Sequence, residues 1–319
     1  MAERFDLMNK LIDAILSRSD SAPAADPELA SLARLAMDLR DLPSDGFKQR
    51  LREDLKRRAS MSTTAVSPVR EGFHTITPYL VVHQGAELIE FMKQAFGAEE
   101  TFRSSTPGGF HAEVRIGDSM LMIGSAPSTR PLSLATLHYF VQNPDEVYHR
   151  CLRLGGTSLF EPLEDYGERF AGIQDPSGNT WIIARSLDTP SYRPEGRQDV
   201  NLFFNPVGGP QFIDFLKRAF DAETLVRYDS PEGGIVHAKL RVAECVLEIG
   251  DARAGWAPAT MIMMYVPDSD ALYRQALVAG ATSLAEPADL PYGRSSGVTD
   301  PAGHQWYFCT PPGPRETSA

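Results

Sequence analysis

Three cysteines in 319 residues, Cys151, Cys245 and Cys309, form no CxxC pair and no even framework. That spacing excludes a disulfide scaffold and a cysteine-built zinc site, and it reads as three buried thiols in a reducing compartment. No apolar run approaches the roughly 20 residues needed to span a bilayer. The first residues, MAERFDLMNKLIDAILSRSD, carry Glu3, Asp6 and Asp13 inside their apolar pattern, unlike a secretory signal. The expectation is a cytoplasmic protein without a membrane partner. Positive charge is also scarce. The formal net charge is -11; residues 1–70 hold 12 Lys/Arg against 11 Asp/Glu, so residues 71–319 carry about -12. Such a body repels a phosphate backbone, which argues against a nucleic-acid partner. The chain also lacks GxSxG, GxxxxGK[ST], HExxH and a GxGxxG between strand and helix, so nothing supports a hydrolase or a nucleotide enzyme.

What the chain does contain is a long internal repeat. ITPYLVVHQGAELIEFMKQAFGAEETFR (76–103) aligns with VNLFFNPVGGPQFIDFLKRAFDAETLVR (200–227), and FHAEVRIGDSMLMIG (110–124) with VHAKLRVAECVLEIG (236–250). VYHRCLRLGGTSLFEP (147–162) aligns with LYRQALVAGATSLAEP (272–287), and YGERFAGIQDPSGNTWII (166–183) with YGRSSGVTDPAGHQWYF (292–308). Four blocks in one order at an offset of about 125 residues mean a duplicated domain rather than a solenoid. Within each copy a β-branched or aromatic strand leads into an amphipathic helix, as at 76–82 into 86–96 and at 134–141 into 144–154. Short strands with turn residues follow, so the unit reads βαβββ, twice per copy.

The predicted organisation is a helical N-terminal extension (1–58), a linker (59–72), a first domain (73–186), a linker (187–197), a second domain (198–311) and a tail (312–319). In the extension, Phe5, Met8, Ile12, Ile15 and Leu16 form one helical stripe. Leu29, Leu32, Leu35, Ala36 and Leu39 form a second, and Phe47, Leu51 and Leu55 a third. Such stripes serve as docking or dimerisation elements, so a homodimer is one expected partnership.

These residues resemble the vicinal oxygen chelate superfamily, which includes glyoxalases, bleomycin-resistance proteins and extradiol dioxygenases, and within it the PhnB-like branch. The resemblance rests on Pro78-Tyr79-Leu80, on His111-Ala112 with Ile116-Gly117, and on YGxRxxGxxDPxGxxW. That last motif is Tyr166, Gly167, Arg169, Gly172, Asp175, Pro176, Gly178 and Trp181, repeated from Tyr292 to Trp306. It implies an α+β fold of tandem glyoxalase-like domains, each made of two βαβββ modules forming a cupped mixed sheet. In metal-dependent members the cup holds a divalent ion on His or Glu from the first and last strand of each module. Here those slots fall on Thr77, Met122, Thr136 and Ile182 in the first copy and on Asn201, Glu248, Met261 and Tyr307 in the second. One carboxylate does not make the N/O shell that such an ion wants, so no metal cofactor is expected.

Strand alternation extends the reading. The face carrying Leu80, Val82, Ala112, Val114, Ile116, Leu137 and Val141 is apolar enough to lie under the helices. The opposite, cavity face offers Tyr79, His111, Glu113, His138 and Phe140 in the first copy and Phe203, His237, Glu248, Met261 and Tyr307 in the second. His111, Glu113 and His138 would form a two-His-one-carboxylate metal site if they met. Lys239 beside Glu248 reads as an ion pair. Arg169 and Arg294 read as loop braces against Asp175 and Asp300, Trp181 and Trp306 as core residues, and His74 as a surface residue.

The leading function is a metal-independent small-molecule-binding protein of the glyoxalase/bleomycin-resistance type, with an apolar or aromatic ligand in a cup. The alternatives are a metal-dependent lyase, isomerase or dioxygenase, and a degenerate scaffold that binds a protein through its N-terminal helices.

Overall fold

The computed structural model describes residues 69–252 and 259–312; the expected N-terminal helices, most of the first linker and all but the first residue of the tail lie outside them. Four βαβββ modules follow one another. The first is β1 (Ile76–Val82), α1 (Gly85–Phe96), β2 (Glu99–Thr106), β3 (Gly109–Ile116) and β4 (Ser119–Ser125). The second is β5 (Thr136–Phe140), α2 (Pro144–Arg153), β6 (Thr157–Asp165), β7 (Glu168–Gln174) and β8 (Thr180–Ser186). The third is β9 (Val200–Phe204), α3 (Gly209–Phe220), β10 (Glu223–Asp229), β11 (Ile235–Val242) and β12 (Cys245–Ile249). The fourth is β13 (Met261–Tyr265), α4 (Ser269–Val278), β14 (Thr282–Leu290), β15 (Gly293–Thr299) and β16 (Gln305–Thr310).

Local chemistry sets the helix ends. Asn143 and Asp268 cap α2 and α4 by accepting from the Glu146 and Ala271 backbone amides. α1 stops at Gly97 in the left-handed region (φ 70°), where glycine carries no Cβ penalty.

The modules pair into two eight-stranded mixed sheets, but across the sequence repeat. One sheet runs β14-β15-β16-β13-β1-β4-β3-β2 and joins the first module to the fourth; the other runs β10-β11-β12-β9-β5-β8-β7-β6 and joins the second to the third. The reading that grouped cavity residues by sequence copy is therefore corrected. A module's first strand offers a free edge to any other module's first strand. β1 takes β13 antiparallel and β5 takes β9 antiparallel, so copies 73–186 and 198–311 each contribute half of both cups.

Reciprocal contacts tie the sheets together. Asp118, in the β3–β4 turn, accepts from the Asp199 amide before β9 at 2.8 Å, and Glu244, in the β11–β12 turn, accepts from the Thr75 amide before β1 at 2.6 Å. One apolar core lies on the helix-facing side and contains Leu80, Val82, Ala112, Val114, Ile116, Leu137 and Val141 as expected. Trp181 and Trp306 are fully buried there, and the three cysteines are buried free thiols. Among the described residues no helix is long and apolar enough to cross a membrane.

Candidate functional site

Alternation puts one row of side chains from each strand on the concave face of its sheet. The ten residues singled out from the sequence divide evenly. Tyr79, His111, Glu113, Met261 and Tyr307 lie in the β1–β13 sheet; His138, Phe140, Phe203, His237 and Glu248 lie in the β5–β9 sheet. His111 and Glu113 are thus in one cup and His138 in the other, so that triad is not assembled.

The first cup is mostly apolar. Phe73, Met120, Met122, Met263, Tyr265 and Cys309 form a buried cluster, and Tyr79 and Tyr307 pack with Met261 and Val81 beside it. The segment before β1 folds over this face. Phe73 meets Tyr265 edge-on with ring centroids 5.4 Å apart, and the Arg70 guanidinium lies 4.7 Å from the Phe73 centroid. Both terminal nitrogens of Arg70 reach the Glu113 carboxylate, the second at 2.8 Å. Burial works to raise the Glu113 carboxyl, and His111 and Arg70 overcome it, holding it below the usual range. His111 in turn lies with Nδ1 3.0 Å from the Tyr79 hydroxyl.

The second cup is charged. Glu248 on β12 is 1% exposed and sits under three cationic or basic groups. Arg197, from the segment before β9, places Nη2 on Glu248 Oε1; His138 Nδ1 lies 2.7 Å from the same oxygen, and His237 Nε2 lies 3.4 Å from Oε2. The short contact puts the His138 proton on Nδ1 and leaves the Nε2 lone pair bare. Nε2 is 3.2 Å from Glu168 Oε2 on β7, yet it makes no hydrogen bond there. Two acceptors face each other. Burial lowers the His138 pKa below that of a free imidazole, against the pull of Glu168 and with help from Arg197 and Lys239. His237 is pushed down to about 4 by burial and by Lys239, while burial brings Arg197 to about 10, still protonated at neutral pH. The walls are aromatic: Phe140 stacks on His138 at 4.4 Å, Arg197 lies over Phe140 at 5.3 Å, and Phe203 flanks His237 at 5.9 Å.

Lys239 is the register partner of Glu248 across β11 and β12. The expected ion pair nevertheless belongs to Arg197, because a guanidinium reaching in from the preceding loop claims the carboxylate first. The brace assignment is corrected too. Arg169 and Arg294 are on the helix-facing side of β7 and β15, where they pair with Asp145 and Asp270 at the starts of α2 and α4. Asp175 and Asp300 instead accept the indole N–H of Trp181 at 2.9 Å and of Trp306 at 2.8 Å. His74 is partly buried, its Nε2 3.0 Å from the Asp118 carbonyl.

Arg70, Glu168 and Arg197 were missed because two lie in stretches that read as linkers and the third in a turn motif. Glu168, Phe170 and Gly172 do alternate onto the cup face of β7, a signal legible in the sequence.

A divalent ion of the kind held by metal-dependent cups does not fit these residues. In the first cup the four slots are Thr77, Met122, Met261 and Tyr307, which offer a hydroxyl, two thioethers and a phenol. In the second they are Thr136, Ile182, Asn201 and Glu248, and the one carboxylate is already held by a guanidinium 4% exposed. Among the described residues no cluster of three or more His, Cys, Asp or Glu side chains is arranged to hold a metal ion.

Comparison with known proteins agrees with this architecture. The Glyoxalase/Bleomycin resistance protein/Dioxygenase superfamily matches residues 72–183 and 209–308, and the chain belongs to that superfamily. An uncharacterized protein of Mycobacterium bovis is 35% identical over 113 residues, which span 31% of this chain and 74% of that one. Glyoxalase I from Zea mays superposes with a TM-score of 0.58 at 17% identity, covering 73% of this chain and 92% of the maize protein. A putative dioxygenase from Bacillus subtilis superposes at 0.55 with 14% identity, covering 74% and 84%. At such identities the likeness is one of fold.

Proposed function

We propose that this member of the superfamily is a metal-independent small-molecule-binding protein whose second cup takes an aromatic ligand. One observation carries the reading: the Arg197 guanidinium, buried on Glu248, supplies the positive charge that a divalent ion would otherwise bring. A second cation at a shared carboxylate costs Coulomb repulsion in a low-dielectric site. Phe140 and Phe203 give the cup aromatic sides, and the bare His138 Nε2 gives it a polar point of attachment. The first cup is closed by Arg70 and Phe73 and has less to offer a ligand.

The test combines metal analysis with ligand binding. The tag-free protein is incubated with Zn²⁺, Ni²⁺, Mn²⁺ or Fe²⁺, desalted and assayed for bound metal beside a His138→Ala variant. The expected result is no stoichiometric retention, with aromatic compounds shifting the His138 and His237 ring resonances of the metal-free protein. Near-stoichiometric metal that the variant loses would overturn the proposal and point to lyase or dioxygenase chemistry.

A further inference from the structure

The floor of the second cup holds two unmet demands of opposite sign. His138 is 4% exposed, and its Nε2 and the Glu168 carboxylate oxygen 3.2 Å away are both acceptors. Leaving such a pair buried without a donor is costly, and a group that donates between them removes the cost. Burial works to raise the Glu168 carboxyl and the Lys239 and Arg197 charges work to lower it; the net shift is below its usual range, so the carboxylate supplies no proton of its own near neutrality. The donor must come from the occupant.

Lys239 makes the second demand. It lies half-buried on the cup face of β11, opposite Glu248, whose carboxylate is held by Arg197. Its charge is felt at His138, His237 and Glu168, so it belongs to the same enclosure. A desolvated ammonium beside a guanidinium gains most from an anion that enters with the ligand.

We infer that the second cup takes a hydroxylated aromatic carboxylate, its hydroxyl donating between His138 Nε2 and Glu168 and its carboxylate facing Lys239. This rests on the ligand-binding reading above and narrows it to one chemical class. The ring lies against Phe203, the partly exposed aromatic side chain of this cup.

The probes are 3-hydroxybenzoate, 4-hydroxybenzoate, benzoate and phenol, titrated calorimetrically into the full-length metal-free protein at pH 7.5, with the histidine ring resonances recorded in parallel. At least one hydroxybenzoate binds ten-fold or more tightly than benzoate and than phenol. Lys239→Met brings that hydroxybenzoate to within about three-fold of phenol and leaves phenol itself unchanged. Lys239→Arg keeps the preference, which separates lost charge from lost folding, and Glu168→Gln narrows the gap between hydroxybenzoate and benzoate. If phenol, benzoate and the hydroxybenzoates bind alike and Lys239→Met changes none of them, the class assignment falls while the aromatic-binding reading stands. If no probe moves the His138 or His237 signals, both fall.

Discussion

The two cups share a strand order and differ in what holds them shut. In the first, Arg70 crosses a largely apolar floor to reach Glu113, and its own side chain stays 46% exposed. In the second, Arg197 makes the equivalent reach to Glu248 with only 4% exposure, among two histidines, a lysine and a second carboxylate. The same device, an arginine from the segment before a module's first strand, is thus a surface clasp in one half and an internal counter-ion in the other. Burial decides which, because screening by water shrinks the first interaction and its absence enlarges the second.

Removing each arginine is the strongest way to break the comparison. Arg197→Met leaves Glu248 as an uncompensated buried charge and is expected to destabilise the protein by about 3–5 kcal/mol. Arg70→Met is expected to cost less, about 1–3 kcal/mol: the guanidinium is half in water, but Glu113 beneath it is only 4% exposed and loses its main cation. Urea unfolding of both variants at pH 7 checks the difference. Arg197→Met combined with Glu248→Met should recover most of the loss, because the pair leaves together. Equal losses from the two single variants would mean that the cups are electrostatically alike.

pH separates the halves more gently. His237 has its folded pKa lowered to about 4 by burial and Lys239, and burial lowers that of His138 as well. Both take up protons more readily in the unfolded chain, near the ordinary histidine value of about 6.5. The stabilising contribution of each is therefore intact above that pH and is lost as pH falls below it; for His237 the loss runs to about 4, at up to about 1.4 kcal/mol per pH unit. The groups facing them are Glu168, Glu248, Arg197 and Lys239; Glu168 is held below the usual carboxylate range, and Arg197, at about 10, stays cationic throughout that window. Unfolding midpoints at pH 7, 6 and 5 should fall steadily for the wild type and less steeply for His237→Asn. A variant that follows the wild-type slope would show that His237 does not titrate as a buried group.

The difference between the cups was only half legible in the sequence. Alternation settled which side chains look inward, as Ala112 and Val114 under the helices and His111 and Glu113 in the cup demonstrate. Alternation is a property of one strand and carries over intact. Which modules share a sheet is a property of pairs of strand edges. β1 presents an edge that β5, β9 or β13 can each satisfy, so His138 was grouped with His111 although a different sheet holds it. Loop residues escaped for a related reason. Arg197 has no periodicity to reveal where it points, and its role depends on Glu248, 51 residues away.

The smallest effect belongs to the turns that lock the two sheets together. Gly117 and Ala243 are equivalent positions in the β3–β4 and β11–β12 turns, and both adopt positive φ, 58° and 52°. Glycine reaches that region without a Cβ penalty; alanine pays of order 1 kcal/mol. The turns are not interchangeable, since a Cβ on Gly117 would fall 1.9 Å from Asp199 Oδ2, in the contact that joins the sheets. Ala243→Gly is therefore expected to stabilise the protein by about 0.5–1 kcal/mol, the relief of strain partly offset by a more flexible unfolded chain. Gly117→Ala should instead destabilise it by more than that. Thermal melts of the two reciprocal variants at pH 7 give the signs directly. Destabilisation by Ala243→Gly would show that the methyl group contributes more through packing at the Thr75–Glu244 junction than it costs in backbone strain.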